Sequence, residues 1–182
     1  MRLADWKECK ACRLHLYRHK VVIGRGSSAP YAILFVGLAP GKTEDLQGKP
    51  FVGPSGRILA AAMGLASRRT KIQVPAHYIT NLVACIPRDG WQEPIRNPRS
   101  DEVFLCQPRL MEIYRQVDPQ VVVTLGEVAA RECRGLFAPP PVPLIHPAAI
   151  VRTGGVESSH FLLLVRGLMT IFEAVGREPC RE

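Results

Sequence analysis

The chain of 182 residues has few acids and no long apolar run. Its 16 Asp and Glu residues stand against 24 Lys and Arg residues, which gives a formal net charge of +8 at pH 7. No stretch approaches the roughly 18 to 20 apolar residues of a membrane span. The N-terminal sequence MRLADWKECKAC is charged from its start and lacks the apolar core of a signal peptide. These absences argue against a membrane protein and predict a cytoplasmic one.

The sequence also lacks internal repeats, low-complexity tracts and any linker between domains. Its length suits one domain with a substantial core, so we expect a single domain over residues 1–182. The excess of basic residues, in which arginine is favoured over lysine, indicates a polyanionic partner, because guanidinium groups make planar contacts to phosphate. Charge by itself therefore favours nucleic acid among the possible partners.

Continuous apolar strands that alternate with helices predict an α/β fold. Such strands are typical of a parallel sheet covered on both faces. We therefore expect a three-layer α/β/α sandwich with a central, mostly parallel four-stranded sheet, preceded by an N-terminal segment at 1–30. The sequence predicts strands at 31–37, 77–84 and 119–125, a short run at 144–145, helices at about 54–67, 100–116, 126–134 and 159–176, and a polar, proline-containing loop at 86–99.

The most informative block lies between Val36 and Leu59 and reads VGLAPGKTEDLQGKPFVGPSGRIL. It joins a buried strand to a helix through a glycine-rich loop, which is the usual place for a ligand pocket in an open α/β sheet. Gly37 lets the backbone come close to a ligand. Phe51 is an aromatic residue that turn chemistry does not require, and the same loop carries two adjacent acids, Glu44 and Asp45.

Four of the six cysteines suggest a metal or cluster site. Cys9 and Cys12 are separated by two residues, so both sulfurs can face one ion or cluster. Cys85 follows the second strand and Cys106 lies on the next helix, so both can lie near one end of the sheet. Four sulfurs suit zinc or a [4Fe–4S] cluster. Alternatively, Cys85 and Cys106 are buried small apolar residues, which is our interpretation of the two remaining cysteines, Cys133 and Cys180.

Taken together, these residues resemble the uracil-DNA glycosylase superfamily, most closely its iron–sulfur branch, family 4. The resemblance covers almost the whole chain. Its motifs are the two N-terminal cysteines, the block G-x-A-P-G-x-x-E-D…G-x-P-F-V-G-x-x-G, Tyr78-Ile-Thr-Asn81, Cys85…Cys106, Val122-Val-Thr-Leu-Gly126 and His146-Pro-Ala…Arg152.

The resemblance implies a cofactor and a DNA surface. It assigns Cys9, Cys12, Cys85 and Cys106 as ligands of a [4Fe–4S] cluster, with zinc as the alternative. That cluster would pin segment 1–30 and loop 86–99 to the sheet. DNA phosphates would then be contacted by Arg88, Arg96 and Arg99, unless these belong to an ordinary solvated loop.

The resemblance also implies how a flipped base would be bound and cleaved. Phe51 would form the stacking floor, and the Asn81 amide would match the hydrogen-bonding edge of uracil and mismatch that of cytosine. His146 would donate to uracil O2, helped by backbone amides near Gly37 and Leu38. Following these, Ile150 or Val151 would wedge into the gap left by the base and Arg152 would hold a flanking phosphate.

The chain departs from the family-4 pattern at the second position of its glycine loop. An acid is usual there, whereas this chain has Leu38, and Gly37-Leu-Ala-Pro40 looks like family 5, a relative with a looser choice of damaged bases. The following residue, Ala39, is not an acid either. Glu44 and Asp45 remain as candidates to position water or stabilise the sugar cation, or else as loop carboxylates paired with arginine.

The sequence therefore predicts a glycosylase that removes uracil from DNA, acting as a monomer. Excision of hypoxanthine, xanthine or a modified pyrimidine is the near alternative, and a non-catalytic DNA-binding or partner-recruiting protein is the distant one. A nucleotide-binding loop fits poorly, because Gly37 stands one residue too close to Gly41-Lys42-Thr43 for the phosphate-binding motif.

Overall fold

A computed structural model of the chain describes residues 3–27 and 33–177. Five strands form one sheet in the order β1-β3-β2-β4-β5, with helices on both faces. The strands are β1 (Arg25–Gly26), β2 (Ile33–Gly37), β3 (His77–Asn81), β4 (Val121–Leu125) and β5 (Val142–Leu144). The helices are α1 (Lys42–Gln47), α2 (Pro54–Thr70), α3 (Ser100–Val117), α4 (Glu127–Glu132), α5 (Pro147–Arg152) and α6 (Ser159–Arg177), with 3₁₀ turns at Leu3–Glu8, Arg13–Leu16 and Gly155–Glu157.

The sheet is mostly parallel, as the sequence predicts, but it has five strands rather than four. Strands β2 to β5 run parallel to their neighbours, and β1 pairs antiparallel with β3. The prediction missed β1 because two residues, Arg25 and Gly26, carry no apolar pattern. At Gly26, where φ is 134°, an added Cβ would collide with the His77 carbonyl, so only glycine lets this edge strand come so close.

Two cores form because the central strands are apolar on both faces. Every residue of β2 is buried, as expected for a central parallel strand. On one face, Phe35 and Val123 pack against α2, α5 and α6. On the other face, Leu34 and Val122 pack against α3 and the residues that follow α4. The carboxyl ends of β2, β3 and β4 consequently open between helices on opposite faces, which is where open α/β sheets bind ligands.

Several predicted boundaries shift in the structure. The strand expected at 77–84 ends at Asn81, after which the Leu82 and Val83 amides donate to the Gly37 and Leu38 carbonyls at 2.8 and 3.0 Å. The run stays apolar because it stays buried, although it has left the sheet. Helices α1 and α5 occupy segments predicted as loops, and residues 31–32 of the first predicted strand lie outside the described residues.

One helix changes the expectation about membrane spans. Within the described residues, Ser159–Gly176 of α6 is long and apolar enough to cross a bilayer by length and composition alone, with a mean hydropathy of 1.3. Its Phe161, Leu164 and Leu168 side chains are buried in the core against α2. A core helix in contact with a sheet and a second helix meets the same criterion, because it too must be apolar over much of its surface.

Candidate functional site: a base pocket at the carboxyl ends of the strands

A pocket of about 600 Å³ opens at the carboxyl ends of β2, β3 and β4. It also borders His146, which lies two residues after the end of β5. The glycine loop that follows β2 and the loop at 86–99 both contribute residues to its lining. The pocket is lined by Leu38, Ala39, Pro40, Gly41, Glu44, Phe51, Ser55, Asn81, Pro87, Ile95, Arg96, Asn97, Leu125, Gly126, Glu127, Val128, Ala129, His146, Ala148 and Arg152. It thus brings together most of the residues that the sequence predicts for base binding and chemistry.

Phe51 and Asn81 line the pocket, and Gly37, which is not itself a lining residue, leaves the space in which they meet. Gly37 pairs with Asn81 across β2 and β3, so the two residues face the same side of the sheet. A Cβ at Gly37 would collide with Asn81 Oδ1 and lie 2.8 Å from two atoms of the Phe51 ring. Glycine is therefore what allows the amide and the ring to meet. The side chain of Asn81, only 2% exposed, hydrogen-bonds to none of the residues that the structure describes, so its amide is available to a ligand.

Hydrogen bonds to the backbone of residues 50–53 fix the position of Phe51. Phe51 has a φ of 52°, a left-handed conformation that is uncommon for an aromatic residue. The Arg25 guanidinium donates to the Pro50 and Phe51 carbonyls at 2.9 and 3.0 Å. Glu44 Oε1 accepts from the Val52 and Gly53 amides at 3.0 and 2.8 Å. These contacts stabilise the strained residue and fix its ring at the pocket, where the ring is 7% exposed.

His146 faces Phe51 from the next wall. It is the N-cap of α5, and its Nδ1 accepts from the Ala148 backbone amide at 2.9 Å. That bond leaves the ring proton on Nε2, so the neutral imidazole is a donor there. Its ring centroid lies 6.2 Å from that of Phe51. Burial and, secondarily, the positive charge of Arg152 lower the pKa of His146 to about 4, so the imidazole is neutral at neutral pH.

The pocket wall at the second glycine-loop position is apolar. Leu38 and Ala39 both line the pocket, and two carboxylates, Glu44 and Glu127, line it as well. Glu44 has one oxygen in the hydrogen bonds just described, and Glu127 begins α4 with an exposed side chain. The sequence analysis missed Glu127, although its signal was present: it directly follows the Val122–Gly126 motif. It also missed Asn97 and Ser55, which carry no pattern that separates them from ordinary loop and helix residues.

Asp45 lies outside the pocket lining. It is 1% exposed, and its carboxylate accepts from the His19 amide at 3.0 Å and the His19 Nδ1 at 2.7 Å. The Arg88 guanidinium lies 3.5 Å from its second oxygen. Glu44 lines the pocket and Asp45 does not, because adjacent residues on helix α1 face different directions. The structure does not support a catalytic position for Asp45 and instead makes it an anchor for the N-terminal segment.

The three predicted phosphate-binding arginines have different environments. Arg88 is 7% exposed, donates to the Tyr17 carbonyl and stacks 4.5 Å from the Trp91 ring centroid, so it is not available to DNA. Arg96 bridges Asp89 and Glu102 at 2.9 and 2.7 Å and also lines the pocket. Arg99 is exposed and pairs with Asp89. The prediction for Arg88 is therefore wrong as a surface contact, because charge in a sequence does not reveal burial.

A second cavity, of about 260 Å³, shares the lining residue Arg96 with the first pocket. It is lined by Arg13, Leu14, Tyr17, Arg88, Asp89, Arg96, Arg99 and Glu102. Arg13 is exposed, and it was missed because it lies in segment 1–30, far along the chain from the loop that it faces.

The His146 motif forms helix α5 rather than the predicted loop. Ile150 is fully buried between α2 and α6, so the prediction that it wedges into DNA is wrong. Val151, the next residue, is 42% exposed, and Arg152 lines the pocket. The helical turn accounts for this split, since neighbouring residues on a helix point about 100° apart.

The four predicted cysteine ligands line one small cavity between the N-terminal segment, the residues after β3 and α3. Three N–H groups point at two of the sulfurs: Arg18 Nη1 lies 3.3 Å from Cys85 Sγ, and the Ala84 amide and Arg109 Nε each lie 3.4 Å from Cys106 Sγ. Among the described residues, no three His, Cys, Asp or Glu side chains converge closely enough to hold a single ion. Burial raises the pKa of Cys85 to about 12, so the free thiol is protonated.

One of the two other cysteines is described by the structure, and it fits the interpretation as a buried apolar residue. Cys133 is buried at the end of α4, and burial raises its pKa to about 12. Cys180 lies outside the described residues.

Comparison with known proteins agrees with this geometry. The family model "Uracil DNA glycosylase superfamily" matches residues 23–166. A type-4 uracil-DNA glycosylase of Thermotoga maritima is 32% identical over 173 residues, which cover 86% of this chain and 85% of that protein. A type-4 enzyme of Saccharolobus solfataricus is 36% identical over 120 residues, which cover 66% of this chain and 51% of that protein.

A weaker match is to a type-5 uracil-DNA glycosylase of Pyrobaculum aerophilum, 34% identical over 110 residues, which cover 54% of this chain and 46% of that protein. The chain spans about half to three fifths of the length of several curated relatives that it matches. The resemblance expected from the motifs is confirmed, and this chain belongs to the uracil DNA glycosylase superfamily.

Proposed function

We propose that the protein is a DNA repair glycosylase that flips uracil out of DNA and hydrolyses its N-glycosidic bond, leaving an abasic site. The observation that carries the proposal is the convergence of Phe51, Asn81 and His146 on one pocket, with Gly37 leaving the space in which the first two meet. The curated relatives named type-4 uracil-DNA glycosylases support the same activity.

The base would bind against the Phe51 ring, with its edge towards Asn81. A side-chain amide donates through its nitrogen and accepts through its oxygen. Uracil offers the matching pair, because O4 accepts and N3–H donates. Cytosine presents the reverse pattern, and a buried amide left without partners costs about 1–3 kcal/mol. Because Asn81 lies beside Gly37 on a rigid sheet, it selects between bases without rearrangement.

Cleavage of the C1′–N1 bond sends its electron pair to uracil, where the negative charge gathers mainly on O2, and leaves positive charge on the sugar. His146 Nε2–H is the donor to O2, and its orientation is fixed by the Nδ1 bond to the Ala148 amide. A neutral imidazole stabilises the leaving anion without carrying a full charge into the pocket. Water then adds to C1′ and loses one proton, and the departing uracil anion takes up one proton, so that the products are the abasic sugar and neutral uracil.

Glu44 is our candidate to orient that water or stabilise the sugar cation. One carboxylate oxygen holds the Val52 and Gly53 amides, which leaves the other free for the pocket. Glu127 is the alternative carboxylate, since it lines the opposite side. Either residue would take the place of the acid that Leu38 replaces.

On the DNA, Val151 would enter the gap left by the base, and Arg152, Arg96 and Arg99 would contact phosphates beside it. Val151 is exposed and directly precedes Arg152, which lines the pocket, and this placement supports the arrangement. A single flipped base needs one pocket, so action as a monomer is part of the proposal. The cytoplasmic location stays a prediction.

We also propose that Cys9, Cys12, Cys85 and Cys106 hold a [4Fe–4S] cluster, with zinc as the alternative. The donor set fits: four sulfurs line one cavity, and two of them, those of Cys85 and Cys106, accept N–H groups, as cluster sulfurs do. The cluster would act as a structural cross-link of the N-terminal segment, the β3 end and α3.

A wider base range is the second candidate function, and Leu38 favours it. An apolar side chain in place of an acid changes the pocket wall where water would be ordered, and the chain has a type-5 relative. The test uses oligonucleotides carrying uracil, hypoxanthine or xanthine, single-stranded and paired, followed by alkaline cleavage of abasic sites. Strand breakage with uracil supports the proposal, whereas breakage only with a purine would transfer it to the second candidate.

A further inference from the structure

Arg109 is a buried cation that the base pocket does not use directly. It lies on α3 with 1% of its surface exposed and is among the largest fully buried side chains. No carboxylate of the residues that the structure describes forms an ion pair with it. Burying a charge without a partner is costly, so such a residue needs both hydrogen bonds and a source of negative charge.

All five N–H donors of Arg109 are engaged, and they connect two sites. Its Nε donates to Cys106 Sγ at 3.4 Å. Its Nη1 donates to the Ile23 carbonyl at 3.0 Å and to Thr80 Oγ1 at 3.1 Å. Its Nη2 donates to the carbonyls of Asn81 and Leu82. The same guanidinium therefore contacts a proposed cluster ligand and the backbone of the proposed base-reading residue.

We propose that Arg109 is a positioning residue that is anchored at the cysteine site and holds Asn81 in its base-reading position. The inference rests on the proposed function. Cys106, as a thiolate ligand, would supply the negative charge that holds the guanidinium. The rigid guanidinium fork fixes the peptide groups on either side of Leu82. Because Asn81 reads the base at the end of β3, fixing its carbonyl fixes the direction of its side chain.

Arg18 provides a matched control. Its Nη1 donates to Cys85 Sγ at 3.3 Å and its Nη2 to the Cys9 carbonyl at 2.6 Å. It thus contacts the cysteine site as Arg109 does, but it has no contact with Asn81. A change at Arg18 removes contacts with the cysteine site alone, whereas a change at Arg109 removes a contact with the cysteine site and the contacts that hold the end of β3.

The experiment compares Arg109→Lys with Arg18→Lys. Iron per chain and visible absorption report the metal site in each variant. Base reading is measured as a binding ratio: the affinity for an oligonucleotide carrying 2′-fluoro-2′-deoxyuridine, which resists cleavage, divided by the affinity for the same strand carrying 2′-fluoro-2′-deoxycytidine, whose hydrogen-bonding edge is the reverse of that of uracil. We expect Arg109→Lys to lower this ratio about tenfold, since an ammonium cannot reach the sulfur and both carbonyls. We expect Arg18→Lys of equal iron content to keep the wild-type ratio.

Thr80→Val keeps the inference testable if Arg109→Lys fails to fold. It removes one acceptor of Arg109 and preserves side-chain shape, so we expect a smaller fall, about threefold. Equal binding ratios for the Arg109 and Arg18 variants would overturn the inference. If Arg109→Lys does not fold, a wild-type binding ratio in Thr80→Val would overturn it. A wild-type protein that does not prefer the uracil analogue would overturn the proposed function, and the inference with it.

Discussion

The protonation state of His146 gives the sharpest quantitative prediction. Burial and Arg152 lower its pKa from the ordinary value near 6.5 to about 4. At pH 5.5 an ordinary histidine is about 90% protonated, whereas His146 would be about 3% protonated. Protonation at Nδ1 would also break the bond from the Ala148 amide. We therefore expect single-turnover uracil release to lose no activity through His146 between pH 7.5 and 5.5.

The sign of the stability effect follows from linkage. Between pH 6.5 and about 4 the unfolded chain binds a proton at His146 and the folded chain does not. The free energy of unfolding contributed by this residue is thus fully present above pH 6.5 and falls as the pH is lowered towards 4. The loss reaches about 3 kcal/mol at most, from a shift of about 2.5 pH units.

The assay is an NMR titration of the His146 ring together with pH–rate profiles. Arg152→Gln removes the second cause of the shift, so we expect the His146 pKa to rise while burial keeps it below 6.5. His146→Gln keeps an N–H donor and removes the titration. A wild-type ring that titrates near 6.5, with a rate that falls in step and a flat profile for His146→Gln, would refute the neutral-donor mechanism.

Three further changes test separate parts of the site. We expect Gly37→Ala to reduce uracil release at least a hundredfold with the chain still folded, because the new Cβ takes the space of the Asn81 oxygen; near-normal kinetics would contradict the wall geometry. Asp45→Asn should lower the free energy of unfolding by about 3 kcal/mol, since it weakens a buried pair with Arg88, and leave kcat within a few fold; a large loss of kcat at unchanged stability would restore its catalytic assignment. Val151→Ala should lower kcat/KM on double-stranded uracil DNA about tenfold and spare single strands, and equal effects on both would argue against a wedge.

The sequence predicted the layered α/β fold and the pocket because both depend on local patterns. Buried strands such as Ile33–Gly37 are continuously apolar, and the glycine loop and Asn81 stand at the ends of β2 and β3. Phe51 lies in the connection between β2 and α2, and His146 follows β5 by two residues. Parallel strands bring those ends to one edge of the sheet, so residues distant in sequence meet there.

The remaining features depend on tertiary contacts that no local pattern encodes. Arg88 was predicted to contact DNA, and Asp45 was predicted to be either a catalytic acid or a carboxylate paired with an arginine. The two residues are buried against each other, in agreement with the second possibility for Asp45. Ile150 and Val151 differ only in the direction that a helical turn gives them. Arg109 carried no signal, because an arginine in an amphipathic helix is usually solvated, and only the structure reveals its position between Cys106 and Asn81.

The central claim is that this pocket releases uracil, and one measurement tests it most directly. Wild-type protein, Asn81→Ala and His146→Ala are incubated with labelled DNA containing a single uracil, and abasic sites are cleaved with alkali. We expect strand breakage at the uracil with the wild type, and losses of at least a hundredfold in each variant. Absence of breakage by a folded wild-type protein with its metal site loaded, or undiminished breakage by both variants, would contradict the account.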